Sequence, residues 1–535
     1  MTKPIKLSPA EATAIATALR RGASRRDLIR WLGAAGMAAA TATTIVGDAG
    51  RALAQAPRRG GRIRVASQTS SNADTVDPAK QNNQTDYTRC FTFYNGLTRL
   101  DETLTPQPEL AESLTASERA TVWTIKLRSG IKFHDGAPLT AADVVYSLNR
   151  HKDPATGSAA RALALPMREI VASGPLEVKI TLDSPNADLP VVLGTPHFLI
   201  IKNGTTSFTT AIGTGPYRCQ EFQPGVKSIG VRNPDYFKSG RPYLDEIELI
   251  GIPDETARLN AMLSGDVHVA ASISPRLARR AQSSAGFSVF ETKAGGYNDL
   301  VMRQDADPSR NPDLVLALKY LLDREQMKTN IFQGYAVVAN DQPIDPTNRF
   351  FHAGLAQRPF DPEKARFHFQ RSGIGTTPIP LQAMASSTML DQAVLIQQAG
   401  QRIGMTVDVR RMPADGYWSN VWMKFPLTMG SINPRPSADV LFTLFFKSDS
   451  TWNESAWRNE RFDALLVDAR AETDDARRRQ MYGEMQTLVH EHCGIGLPVF
   501  MSILDAHTNK LKGLRAIPTG GLMGYSYAEN VWLES

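Results

Sequence analysis

Four short stretches in which apolar and polar side chains alternate constrain this chain most: Arg62–Ala66, Thr121–Leu127, Glu177–Leu182 and Asp245–Ile250. A period of two places one apolar face on a strand, so each stretch must be buried against a partner layer. Helix signals lie between and after them. Thr140 with Asp143 makes a capping box ahead of Val144, Val145 and Leu148. Asp254 caps a predicted helix bearing Leu259, Met262 and Leu263, which ends at Gly265. Asn311 and Pro312 open another, with Pro at its first position and Leu314, Val315, Leu318 and Leu321 on one side. Asp323 starts a helix expected to stop at Gly334. Thr473-Asp474-Asp475 opens a last one, with a core stripe of Tyr482, Met485, Leu488 and Val489. Arg477, Arg478 and Arg479 in its early turns read as a solvated face. Strands and helices mix without strict alternation, which points to a multidomain α/β or α+β protein. A single core rarely grows past about 250–300 residues, so a chain of 535 residues needs two or more domains.

The first 54 residues do not share this patterning. Ser24-Arg25-Arg26-Asp27-Leu28-Ile29-Arg30 precedes a weakly apolar, Ala/Gly/Thr-rich run from Trp31 to Val46, and Ala52-Leu53-Ala54 forms a small-x-small cleavage site. The paired arginines resemble a twin-arginine export signal, with Leu28 where Phe is commoner. Cleavage after Ala54 would leave a mature chain starting at Gln55 in the periplasm. No other stretch reaches the roughly 18 apolar residues of a membrane span, and the first cysteine, Cys90, lies too late for a lipid anchor. The leader holds eight Lys/Arg and three acids, so it carries +5 of the +6 formal charge and leaves +1 on 481 residues. A nucleic-acid partner thereby loses its electrostatic footing. Cys90, Cys219 and Cys493 allow at most one disulfide; buried free thiols are expected.

Enzyme motifs are scarce. The chain has no Gly-x-Ser-x-Gly elbow, no His-Glu-x-x-His and no Walker loop. Gly213-Thr214-Gly215 precedes Pro216-Tyr217 and reads as a turn before a strand, and His134-Asp135-Gly136 also reads as a turn. His490-Glu491-His492-Cys493 is metal-like in composition, but histidines two apart on a helix point to different sides. The informative concentration is aromatic. Trp418, Trp422, Trp452 and Trp457 gather with Tyr417, Phe425, Phe442, Phe445 and Phe446 around the stiff run Asn433-Pro434-Arg435-Pro436. Aromatic walls with one guanidinium build small-ligand pockets; a Trp-rich core with a surface Arg has the same composition.

Several motifs in order then become recognisable. Phe93-Tyr94-Asn95-Gly96-Leu97-Thr98-Arg99-Leu100 is followed by Pro108-Glu109-Leu110-Ala111-Glu112-Ser113. Leu127-Arg128-Ser129-Gly130-Ile131-Lys132-Phe133-His134-Asp135-Gly136 runs into Leu139-Thr140-Ala141-Ala142-Asp143-Val144. Gly213 to Tyr217, Arg232-Asn233-Pro234-Asp235-Tyr236-Phe237, Asp361-Pro362-Glu363-Lys364-Ala365 and Asn459 to Leu466 continue the series. Together they resemble the family 5 solute-binding proteins of dipeptide/oligopeptide ABC importers, from about Gly60 to Phe500. The resemblance implies an α/β, two-lobed periplasmic binding protein of type II with an extra N-terminal subdomain. Lobe I would comprise 58–93, 214–305 and 498–535, the subdomain 94–213 and lobe II 306–497. It also implies a ligand held between closing lobes, delivery to ABC permease subunits in the inner membrane, a monomer, and neither catalysis nor a cofactor.

One departure bears on the ligand. Peptide-binding members carry an Asp within a Trp-x-Ala-Asp-Tyr-like run that pairs with the ligand's α-ammonium. Here Gly430 to Asp439 reads Gly-Ser-Ile-Asn-Pro-Arg-Pro-Ser-Ala-Asp, with Pro434 or Arg435 at that place and Asp439 too late. A cation there favours an anionic group: a modified amino acid, an opine-like conjugate, a modified peptide or a sugar acid. Other candidate ligand contacts are Asn433 as an amide reader, Trp418 and Trp452 as stacking walls, Tyr297 and Asn298 on a cleft-lining strand, and Gln68 and Ser70 in the loop after the first strand. A metal-chelate or haem-binding member of the same fold and a periplasmic amidase or peptidase are the alternatives.

Overall fold

The computed structural model describes Leu28 and residues 57–385 and 387–534. The leader, its arginine pair and the cleavage point after Ala54 lie outside the described residues. The alternating stretches fold as strands, at Arg62–Ser67, Val122–Leu127, Glu177–Thr181 and Glu246–Gly251. Thr140 and Asp143 close their capping box, and Asn311 and Asp254 cap their helices as the spacing requires. The helix expected to reach Gly334 ends at Asn330. The chain turns there, and the Gly334 N–H bonds back to the Lys328 carbonyl at 2.9 Å.

An eleven-stranded mixed sheet runs through the molecule. Its backbone is a pair of long antiparallel strands, Phe287–Met302 and Ile495–Thr508. At about 3.3 Å per residue, strands of 16 and 14 residues reach roughly 50 Å, enough to belong to two lobes at once. On one side the sheet continues through Leu427–Ile432, Ile379–Met384 and Val407–Met412. On the other it continues through Val269–Ala270, Arg62–Ser67, Glu246–Gly251, Lys227–Arg232 and Tyr217–Gln223. Each half is covered on both faces. Leu300, Leu381 and Ile396 lie in one core of the first half, and Tyr297, Phe442 and Tyr482 in the other. Val65, Leu249 and Tyr217 share one core of the second half, and Leu259, Met262 and Ala506 the other. Continuous apolar stretches on buried strands follow from this double cover.

A separate four-stranded antiparallel sheet, Ala111–Ala116, Val122–Leu127, Glu177–Thr181 and Glu169–Gly174, carries its own core, which includes Trp123, Ile125, Val144 and Phe198. Gly213 and Gly215 sit where this body rejoins the main sheet. A Cβ on Gly215 would lie 2.3 Å from the Phe93 carbonyl carbon, so the Gly-Thr-Gly run is a close backbone crossing. Cys90 and Cys493 are buried, and burial pushes the Cys493 thiol up to about 12. Cys219 is half-buried because its strand forms a sheet edge. His490 is committed to packing, with Nδ1 2.7 Å from the Asn340 carbonyl and Nε2 3.1 Å from Arg358. No helix among the described residues is long and apolar enough to cross a membrane.

The subdomain is tied to the Tyr482 core by a buried ion cluster. Asp188 precedes the short helix Leu189–Val192, whose Leu189 and Val192 belong to the subdomain core. Its carboxylate meets Arg478 at 2.7 Å and Arg349 at 3.2 Å, and Ser437 donates its hydroxyl to it. Asp188 and Arg478 are each 2% exposed. This corrects the solvated-face expectation for Arg478: one residue of the three turns inward, because helical spacing puts it on the side of Tyr482 and Met485. Burial acts to raise the Asp188 pKa, but Arg478 and Arg349 outweigh it and hold the carboxyl below its ordinary value.

Asp188→Ala should cost about 3–5 kcal/mol in urea unfolding, because it strands Arg478 without its partner. A lowered native pKa makes the carboxylate's contribution complete above the ordinary value of 3.8 and lost as the pH falls through the native value. The stability gap between the wild type and Asp188→Asn should therefore be constant from about pH 5 to 8 and shrink as the pH falls below the ordinary carboxyl value of 3.8. A loss under about 1 kcal/mol would reduce the cluster to an ordinary surface pairing.

Candidate ligand-binding cleft

A cavity of about 740 Å³ opens where the subdomain and the two halves of the large sheet meet. One wall is the loop Asn433–Ser437, between the strand Leu427–Ile432 and the helix Ala438–Phe445. Its conformation is fixed at three points. Pro434 and Pro436 restrict the backbone. Pro434 rests on Gly296 of the long strand, where a Cβ would come within 3.0 Å of its Cδ. Ser437 caps the following helix, accepting from the Val440 N–H, while its hydroxyl reaches Asp188.

Arg435 projects from this loop. Its guanidinium carbon lies 5.8 Å from the Phe445 ring centroid, and Phe445 stacks on Trp452 at 5.8 Å and 30°. Its one hydrogen bond among the described residues is to the Pro434 carbonyl at 3.4 Å, and no carboxylate there pairs with it. Arg241 and Arg515, also on the cavity, are paired with Glu529 at 3.1 Å and Glu102 at 3.7 Å. Arg99 lines the cavity too but is exposed to solvent. Arg435 is thus a half-buried cation without a counter-ion among the described residues. Burial lowers its pKa, yet a guanidinium stays protonated near neutrality. It can take a carboxylate or phosphate in a bidentate fork.

The opposing wall holds Tyr87, which touches His197 at 5.5 Å and Tyr525 at 5.2 Å between ring centroids. Burial and then Asp86 raise the Tyr87 pKa, while Arg435 pulls it down. Burial keeps the His197 imidazole toward its neutral form. Tyr525 ends a left-handed turn in which Leu522, Met523, Gly524 and Tyr525 have φ of 51°, 59°, 60° and 75°. Asp505, on the long strand, holds that turn by accepting the Leu522 N–H at 2.7 Å.

Arg435, Asn433 and Trp452 therefore come together on the cavity, and five other anticipated residues do not line it. Trp418 is 45% exposed and packs on Tyr417 and Trp422 outside the cavity. Tyr297 and Asn298 are successive strand residues and enter opposite cores. Tyr297 packs edge-on to Phe500, and Asn298 donates to Thr388 and Gln392 at 2.8 and 3.0 Å. Gln68 donates to the cavity residue Gln84 at 3.4 Å, and Ser70 to the Gly225 carbonyl at 2.7 Å. Of the other tryptophans, Trp457 is in the core and Trp422 donates to the buried Glu454 at 2.8 Å. Tyr87, His197, Leu163, Leu444 and Tyr525 line the cavity without having been singled out. The aromatic, Gly-rich tail Gly520 to Tyr527 was the available signal for the last of these.

Residues 105–454, more than half of the chain, match the family described as bacterial extracellular solute-binding proteins, family 5 Middle. The glutathione-binding protein GsiB of Escherichia coli O6:K15:H31 is 26% identical over 475 residues, covering 84% of this chain and 91% of that protein. Among solved structures, HbpA2 from Haemophilus parasuis aligns with a TM-score of 0.79 at 20% identity, covering 88% of this chain and 100% of that one. AgaA from A. tumefaciens R10, in complex with agropinic acid, aligns with a TM-score of 0.69 at 23% identity, covering 89% and 99%.

The contact between Gly296 and Pro434 predicts a non-additive pair. Gly296→Val should cost about 1–3 kcal/mol by overpacking, and Pro434→Ala should relieve part of that loss when the two are combined. Denaturant unfolding of the four proteins of the cycle measures it; strict additivity would mean that the loop does not rest on Gly296.

Proposed function

The chain belongs to the bacterial extracellular solute-binding proteins of family 5, and from that premise we propose that it captures a peptide-like or other carboxylate-bearing small molecule in the periplasm and delivers it to an ABC permease in the inner membrane. The half-buried guanidinium of Arg435, without a carboxylate partner among the described residues, carries this reading. A desolvated cation without a counter-ion is costly, and a ligand carboxylate would relieve it. Asn433 has no side-chain partner among the described residues and is placed to read an amide beside that anion, with Trp452 as the stacking surface. Gln68 and Ser70 act from behind, by steadying Gln84 and the Gly225 turn. Tyr297 and Asn298 hold the crossing strand in place.

In this reading the protein works as a monomer that breaks no bond and needs no resident cofactor or metal. Residues 1–54 direct twin-arginine export and are removed after Ala54. Segments 58–93, 214–305 and 498–535 form lobe I, 94–213 the extra subdomain and 306–497 lobe II. The shared ladder of the two long strands, with its two register shifts, supports a hinge between lobes, and closure around ligand is a shift of population toward the closed form. The glutathione-binding relative and the agropinic-acid complex both fit a ligand whose recognition includes a carboxylate.

Calorimetric titration with glutathione, agropinic acid and unmodified dipeptides tests the proposal. Arg435→Ala should weaken binding of the anionic ligand by about 10- to 150-fold, the worth of hydrogen bonds to a charged group. Arg435→Lys should recover only part of it, since a point charge lacks the fork. Tight binding of plain dipeptides that Arg435→Ala leaves unchanged would sink the assignment.

A further inference from the structure

The anion anchor is continuous with an uncovered apolar wall. Arg435 lies over Phe445, and Phe445 stacks on Trp452, so cation and indole form one column. Trp452 is 45% exposed although it lines the cavity. Val440 and Leu444, four residues apart on the helix Ala438–Phe445, share one face and line the cavity beside it, each only partly covered. From the subdomain, Leu163 enters the same cavity with 40% of its surface exposed. Isolated exposed apolar residues need no explanation, but several lining one concave site mark a binding surface. A fully hydrophilic ligand would leave this wall wet. About 740 Å³ is far more space than a carboxylate and one amide fill.

We propose that the ligand is amphiphilic: a carboxylate on Arg435, a polar link such as an amide near Asn433, and an extended apolar substituent against Trp452, Leu444, Val440 and Leu163. N-acylated or N-aryl-substituted amino acids have this chemistry. The inference rests on the role proposed for Arg435 and adds to it the nature of the rest of the molecule. Charge complementarity fixes the ligand's orientation, and burial of the substituent sets its affinity.

The test is a homologous series, N-acetyl-, N-butyryl-, N-hexanoyl- and N-octanoylglycine, titrated into the mature protein, with octanoate as a separate arm. Affinity should rise about three- to fourfold per methylene until the wall is covered. Trp452→Ala and, independently, Leu444→Ser should flatten that slope to under about 1.5-fold per methylene, while Arg435→Ala should weaken every member. Thermal melts identify any variant that has not folded, and the second apolar variant keeps the comparison intact. Octanoate binding as tightly as N-octanoylglycine would make the apolar carboxylate the recognised unit; weaker binding would add the amide to it. A flat series with Arg435-dependent binding of N-acetylglycine would overturn this inference and leave the role of Arg435 standing. If no carboxylate binds and Arg435→Ala changes nothing, both fail.

Discussion

The ladder between Phe287–Met302 and Ile495–Thr508 is the constraint on which the rest of the molecule depends. Both halves of the large sheet grow outward from it, so neither can move without bending these two strands. The register offers places to bend. It shifts between Lys293 and Gly296 and again between Asn298 and Leu300, and an irregular ladder twists more easily than a regular one. Gly295 and Gly296 stand at that point, where Cβ atoms would strike Asp345 at 2.5 Å and Pro434 at 3.0 Å. The loop that presents Arg435 is therefore seated on the place where the lobes would hinge. Under the proposed function, a ligand drawing on Arg435 would act at short range on the geometry that sets lobe separation.

Two buried charges show how the chain separates structure from recognition. Asp188 is buried, and two arginines and a hydroxyl saturate it. Its charge is spent holding the subdomain against the core of the neighbouring body. Arg435, one loop away through Ser437, is left without a partner of opposite sign among the described residues. Desolvation is tolerable in the first case because pairing compensates it. In the second it is a standing cost that an incoming anion would reverse.

Much of the secondary structure was legible because it is local. Alternation at Thr121–Leu127 and the Thr140–Asp143 cap need only a few neighbouring residues, and both are found in the fold. Arg435 was legible because two prolines and a break in a familiar run drew attention to it. The partners of Asp188 were not, since Arg478 lies 290 residues away and local charge patterning made it look solvated. The aromatic concentration pointed to a segment that only partly lines the cavity. Of its tryptophans, Trp452 lines the cavity, while Trp422 satisfies Glu454 and Trp457 fills a core. Composition cannot tell these uses apart, because each asks for the same flat apolar surface. Tyr87 and Tyr525 are 438 positions apart in the numbering but in ring contact across the cavity wall, a pairing only the tertiary fold creates.

The left-handed turn at Leu522–Tyr525 bears on how affinity can arise in such a cleft. Non-glycine residues in this conformation cost roughly 1–2 kcal/mol each, so the turn persists only if its surroundings impose it. Asp505 does so: burial alone would favour its protonated form, yet it accepts the Leu522 and Ser272 N–H groups at 2.7 and 2.9 Å and ties the turn to the long strand. The result is a fixed platform for Tyr525, anchored to the long strand through Asp505. Opposite it, the prolines and the Gly296 seat make the Arg435 loop equally stiff. With both walls preorganised, little side-chain or loop entropy is lost when ligand arrives. The main freedom left to binding is then the angle between the lobes, which is the one movement a protein that must both hold and release its cargo needs.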